Sequence, residues 1–224
     1  MTVARSQSML EQLEAEARDR GLLLRLQVGR PLGLWSLRLV VAQQGSSGNL
    51  LLLGEMKGWA YSAATGLQLD TMRVMPKAPA GVGDLIWAAT MAWAQEATPC
   101  SRARLLAIRD DEQQHRRLVR YFRQRGFSKS RDVEAALWDL PLRMVWGGAG
   151  ALMSGDVATV LERSLRASVR LLPAFGDGHF ELGNTLHSQN RYAEAVALDV
   201  VCDRCFYDAY GRGCPRARSA VNGL

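Results

Sequence analysis

Between residues 22 and 75 the chain carries short apolar runs joined by turns too short to hold a helix, and this limits its fold most. The runs are Leu22–Val28, Trp35–Ala42, Leu50–Tyr61 and Leu67–Met75, and Leu37, Leu39 and Val41 alternate with less apolar neighbours in the second. Gln44 to Asn49 is a turn by composition. Short links between strands imply antiparallel neighbours, so these runs read as a meander. At Pro76 the pattern switches. A glycine-containing loop leads into a helix over Val82–Ala97, in which Ile86, Ala89, Trp93 and Ala97 share one side. Arg104–Ile108 is a short strand. Asp110 or Asp111 caps a second helix running to about Arg125, with Leu118, Val119 and Phe122 as its apolar stripe and Gly126 as its stop. Phe127–Arg131 and Ala135–Leu140 are candidate strands. A helix over residues 6–20, capped by Ser6 or Ser8, precedes the meander and ends at Gly21. The expected class is α+β, with a mixed, mostly antiparallel central sheet flanked by helices.

The 224 residues are 48% hydrophobic, enough for a substantial core. No apolar run is long enough for a membrane-spanning helix. The first residues mix Ser6, Gln7, Glu11 and Glu14 with leucine and alanine, without the apolar stretch of a secretory signal, so a cytoplasmic location is expected. The net charge of +6 is uneven, since arginines and lysines crowd between Arg102 and Arg131. Such a patch suits an anionic partner (a phosphorylated cofactor, an acidic protein surface or nucleic acid) or is simply a solvated helix face. It lacks the interleaved aromatics of a single-strand binder, which places nucleic acid last among these partners.

The residues Val74-Met75-Pro76-Lys77-Ala78-Pro79-Ala80-Gly81-Val82-Gly83-Asp84 end a strand, form a loop and open a helix. Glycine lets the backbone approach a phosphate closely. Free amides and the dipole at a helix N-terminus then hold negative charge, here on Val82, Gly83 and Asp84. The same glycine pattern in a Rossmann unit follows a parallel strand, which the meander disfavours. Downstream, the second helix closes in Tyr121-Phe122-Arg123-Gln124-Arg125-Gly126-Phe127. From Gly66 to Phe127 this order resembles the GNAT superfamily of N-acyltransferases: a V-x-P strand, a pyrophosphate loop ending in G-x-G, a helix, a strand, and a helix closing in G-F.

The resemblance implies acetyl-CoA as cosubstrate. It places cofactor contacts on Met72, Arg73 and Val74 at the end of the strand, on Gly81, Val82, Gly83 and Asp84 in the loop, and on His115 and Phe122 in the following helix. It also implies direct attack by an amine on the thioester, which needs a base for the ammonium proton and an acid for the leaving thiolate. Asp70, on the strand where the family often has a carboxylate, and Glu55, on the preceding strand, are candidate bases; each also reads as a surface carboxylate on a half-exposed sheet, Glu55 more so. Tyr121 and His115 are candidate acids, although Tyr121 at the edge of the apolar stripe also reads as packing. The chain departs from the family at several points. The loop's arginine or glutamine position holds Ala78, the tyrosine position holds Phe122, Asp84 adds negative charge beside the loop, and no helix pair separates the first two strands.

Residues 144–197 show helical periodicity with glycine and proline punctuation. Leu182-Gly183 to Leu186, followed by Ala195, resembles a tetratricopeptide repeat, with a half-match from Leu152 to Pro173. This divides the chain into a GNAT-like domain at 1–143, a repeat-like helical segment at 144–200 and an irregular tail at 201–224. His115, His179 and His187 form no H-E-x-x-H pattern, and Cys202, Cys205 and Cys214 lack the second cysteine pair of a zinc site. No metal site is expected. Two functions follow. One is an N-acyltransferase acting on a small-molecule or protein amine. The other is a catalytically degenerate domain that engages protein partners through its basic helix and repeat-like segment.

Overall fold

The computed structural model describes residues 8–45, 48–134, 146 and 148–171. Helix α1 spans Met9–Asp19. Ser8 caps it reciprocally, accepting from the Glu11 amide while the Glu11 carboxylate accepts from the Ser8 amide. Gly21 then takes a φ of 70°, which turns the chain into the sheet.

The meander forms as its turns imply. Strands β1 (Leu22–Gly29), β2 (Trp35–Gln44), β3 (Leu50–Ala60) and β4 (Leu67–Val74) pair antiparallel in sequence order. Leu37, Leu39 and Val41 are buried while Ser36 and Arg38 are exposed, so this part of the sheet has one covered face. Helix α2 (Val82–Ala97) leads to β5 (Arg102–Ile108), which lies parallel to β4. Helix α3 (Glu112–Gln124) is capped by the Asp111 side chain, which accepts from the Gln114 amide at 2.8 Å, and leads to β6 (Phe127–Val133).

Beyond residue 143 the helical expectation needs correcting. Gly150–Asp156 is strand β7, inserted between β5 and β6 and antiparallel to both. The sheet order is β1-β2-β3-β4-β5-β7-β6. Met153 lies in the main core, while its neighbour Leu152 packs with Val133, Trp146 and Leu106 in a second, smaller cluster. A strand buried on both faces reads as a continuous apolar run, which periodicity alone cannot separate from helix. Helix α4 (Val157–Leu171) follows directly, with Val160, Leu161 and Leu165 fully buried. The candidate strand at 135–140, the repeat-like motif at Leu182–Ala195 and the three C-terminal cysteines lie outside the described residues.

Helix α2 is buried on nearly all sides. Ile86, Trp87, Ala88, Ala89, Met91, Ala92 and Ala94 are essentially inaccessible, whereas Ala97, expected on its apolar side, is exposed. A helix that is apolar all round must be covered all round. On one side Ile86 and Val82 lie so close to β3 that a Cβ added at Gly54 would sit 2.7 Å from the Ile86 side chain. Helices α1 and α4 share the same core.

Candidate functional site

Strands β4 and β5 pair only from Leu67↔Ala103 to Leu69↔Leu105. Beyond Leu69 the register of β4 against β3 slips, so that Leu69 faces Gly58 and Thr71 faces Lys57, leaving Asp70 as the extra residue. A bulge of this kind increases local twist and breaks pairing. The second half of β4 parts from β5 and opens a cleft of about 300 Å³. Its walls are Asp70 to Arg73 on one side, Leu105, Leu106 and Ile108 on the other, and Trp87, Leu118 and Phe122 from the helices. The cleft is largely apolar, and among the described residues no strand pairs the edge of β4 beyond Leu69 on this side.

The N-terminus of α2 lies beside the end of β4. Gly81 caps the helix with a φ of 90°, a conformation that a side chain would strain. The loop is held by Met75 donating to the Leu53 carbonyl at 2.8 Å and Ala78 donating to the Met75 carbonyl at 2.9 Å. The Val82 amide points to the Pro79 carbonyl at 3.4 Å, a weak bond. Among the described residues the amides of Gly83 and Asp84 have no backbone acceptor, as expected for a first helical turn. A Cβ built on Gly83 would lie 3.6 Å from Val74, 3.7 Å from Met72 and 3.9 Å from the Tyr121 hydroxyl, all ordinary contacts. Those three residues therefore lie beside Gly83.

Asp84 does not act as the repulsive charge expected from the sequence. Its carboxylate is buried and ion-paired with Arg125, which follows the last turn of α3. Neither Asp84 Oδ1 nor Arg125 Nη1 meets the geometry of an aligned hydrogen bond, so the contact is primarily ionic. Arg125 also lies 5.0 Å over the Tyr121 ring. The Tyr121 hydroxyl accepts from Trp87 Nε1 at 2.9 Å, and its burial, outweighing the nearby Arg125 charge, raises its pKa above 10.0. Trp87 and Arg125 thus tie the end of α3 to the start of α2. Neither was singled out in the sequence, where Trp87 is one apolar helix residue and Arg125 one of many arginines.

The remaining candidates separate. Asp70, Met72, Arg73 and Phe122 line the cleft. Val74 is exposed at the end of β4, next to Gly83. Tyr121 turns to Trp87 and the α2 terminus and is not among the cleft-lining residues. Glu55 alternates with Gly54, which faces α2, so it lies on the opposite face of β3. There it is buried between Arg38 at 3.5 Å and Lys57 at 3.6 Å, away from the cleft lining. His115 is also absent from the cleft wall. It is buried, with Nδ1 3.2 Å from the Ile108 carbonyl, and lines a groove on the other side of α3. On α3 the positions of His115 and Tyr121 differ by more than 90° around the axis, which places them on different sides.

Among the described residues no cluster of histidine, cysteine, aspartate and glutamate could hold a metal ion, and no helix is long and apolar enough to cross a membrane. No protein-family model matches the chain, and no curated protein matches it. Among solved structures the chain is similar to that titled "Crystal structure of Nourseothricin acetyltransferase". The identity is 15% and the TM-score 0.40, over 61% of this chain and 88% of that one.

Proposed function

We propose that the cleft between β4 and β5 holds an acyl-coenzyme A, with its acyl group passed to a small-molecule or protein amine. The observation that carries this reading is the pairing of two features at the end of β4: a strand edge parted from its neighbour, and a helix N-terminus with free amides. An elongated cosubstrate with amides in its arm and a pyrophosphate at its middle matches both. The unpaired edge of β4 would hydrogen-bond the arm, and the amides of Gly83 and Asp84 would receive the pyrophosphate. The cosubstrate supplies an activated thioester; the chain supplies orientation and proton transfer. Asp70, exposed and on the cleft wall, is the base in this reading. Tyr121 supports the pyrophosphate turn rather than the reacting atoms.

The acceptor nitrogen attacks the thioester carbonyl carbon, its proton passes to Asp70, the carbon–sulfur bond breaks, and the thiolate takes a proton from solvent. A second reading, a domain that binds the cosubstrate without turnover and serves as an interaction module, is favoured by Phe122. It lies on the cleft wall where a hydroxyl would be useful and has none to offer.

Calorimetry with acetyl-CoA on the wild type and on Gly83→Asp tests the site. A Cβ at Gly83 meets only ordinary contacts, and an aspartate there adds a negative charge to the first turn of α2. Binding by the wild type that weakens at least tenfold in the variant supports the reading. A wild type that does not bind removes both forms of it. Thiol release across a panel of amines then separates turnover from binding alone.

A further inference from the structure

Helix α3 divides lengthwise. Leu118 and Phe122 turn toward the cleft, and Tyr121 and Arg125 toward α2. His115, Arg116, Arg120 and Arg123 turn the other way and line a groove of about 380 Å³, to which Arg109 and Lys129 also contribute. The volume falls in the range of small-molecule sites, roughly 300–1,000 Å³.

The charge in this groove is unbalanced. Arg109 and Lys129 share one carboxylate, Asp132, at 3.5 and 2.6 Å. Arg116 reaches Glu112, on the groove rim, at 3.8 Å, an exposed pair of little energetic weight. Among the described residues Arg120 and Arg123 have no acidic partner. Five cations therefore face two carboxylates. A concave wall of one sign concentrates counter-ions of the other. Arg116, Arg120 and Arg123 follow one another at helical spacings of four and three, in a row whose planar guanidinium groups suit two-point contact with phosphate oxygens. His115 sits in the same wall with Nδ1 engaged by the Ile108 carbonyl, so Nε2 is the ring atom available to a ligand. Among the described residues no tryptophan, tyrosine or phenylalanine lines the groove, so none of them would stack a base there.

We propose that this groove is a second anion site, distinct from the cleft, that takes a compact ligand carrying two or more phosphate groups.

Titration calorimetry of the full chain with inorganic tripolyphosphate, at fixed near-physiological salt, tests it. The titrations are run on Gly83→Asp, so that the α2 terminus, itself proposed to take a pyrophosphate, does not contribute, and this background is expected to show saturable one-site binding. Arg120→Ala/Arg123→Ala should weaken it at least tenfold, since each loses a charge-assisted contact. Arg18→Ala/Arg117→Ala removes the same charge from exposed positions outside the groove and should stay within twofold. Groove binding does not need the α2 terminus, so the parent chain with Gly83 should bind tripolyphosphate at least as tightly. Circular dichroism checks that each variant is folded; arginine to alanine on an exposed helix face keeps helix propensity. Absence of saturable binding in the Gly83→Asp background, or equal losses in the two double variants, would each overturn the proposal.

Discussion

The Asp84–Arg125 pair makes a quantitative test of how α2 and α3 are held together. Both side chains are largely out of water, at 9% and 14% exposure. Arg125→Met keeps most of the aliphatic stem but leaves the Asp84 carboxylate buried without its cation. Breaking a buried ion pair by removing one partner costs about 3–5 kcal/mol. For a domain of this size that lowers the melting temperature by roughly 6–20 °C. Asp84→Asn/Arg125→Met removes both charges and should recover most of the loss, because the penalty comes from the stranded charge and not from a large net attraction. Urea denaturation followed by tryptophan fluorescence provides the four corners of the cycle, and Trp87 lies one residue contact away through Tyr121. An Arg125→Met variant within about 1 kcal/mol of wild type, or a double variant no more stable than that single one, would refute the reasoning.

Three further outcomes are expected. Tyr121→Phe strands the Trp87 indole N–H and should cost roughly 1–3 kcal/mol in the same denaturation assay. Because burial raises the Tyr121 pKa above 10.0, the unfolded chain loses this proton first as pH rises. Its stability contribution is complete below pH 10 and falls above it, and urea midpoints measured from pH 9 to 11 should drop less steeply in Tyr121→Phe. Leu161→Ala should cost roughly 2–5 kcal/mol by chemical denaturation, because α4 belongs to the same core as the sheet. Asp70→Asn should leave the denaturation midpoint unchanged, since the side chain is exposed, while lowering amine-dependent thiol release by about 100-fold, the low end of general-base contributions.

Local chemistry made several boundaries legible. Helix α2 begins at Val82 because Gly81 can take a left-handed turn there. Helix α3 starts after Asp111 because its carboxylate satisfies an end amide, and it is followed by Gly126 at a φ of 99°. Strand β2 shows its alternation because only one face is covered. Strand β7 was hidden because Leu152 and Met153 are buried on opposite faces, so the period-two signal vanished. The candidate site divided the same way. Asp70, Met72, Arg73 and Phe122, expected from the sequence as candidate site residues, line one cleft, whereas Glu55, His115 and Tyr121 face elsewhere.

By itself the sequence determined an antiparallel meander, a glycine loop opening a helix, and a basic second helix, because each depends on residues near one another along the chain. The tertiary structure decided the rest. Whether β4 stays beside β5, whether Asp84 meets a phosphate or an arginine, and which side of α3 forms a basic groove all depend on segments far apart in sequence. Those segments meet only when the sheet and its helices pack.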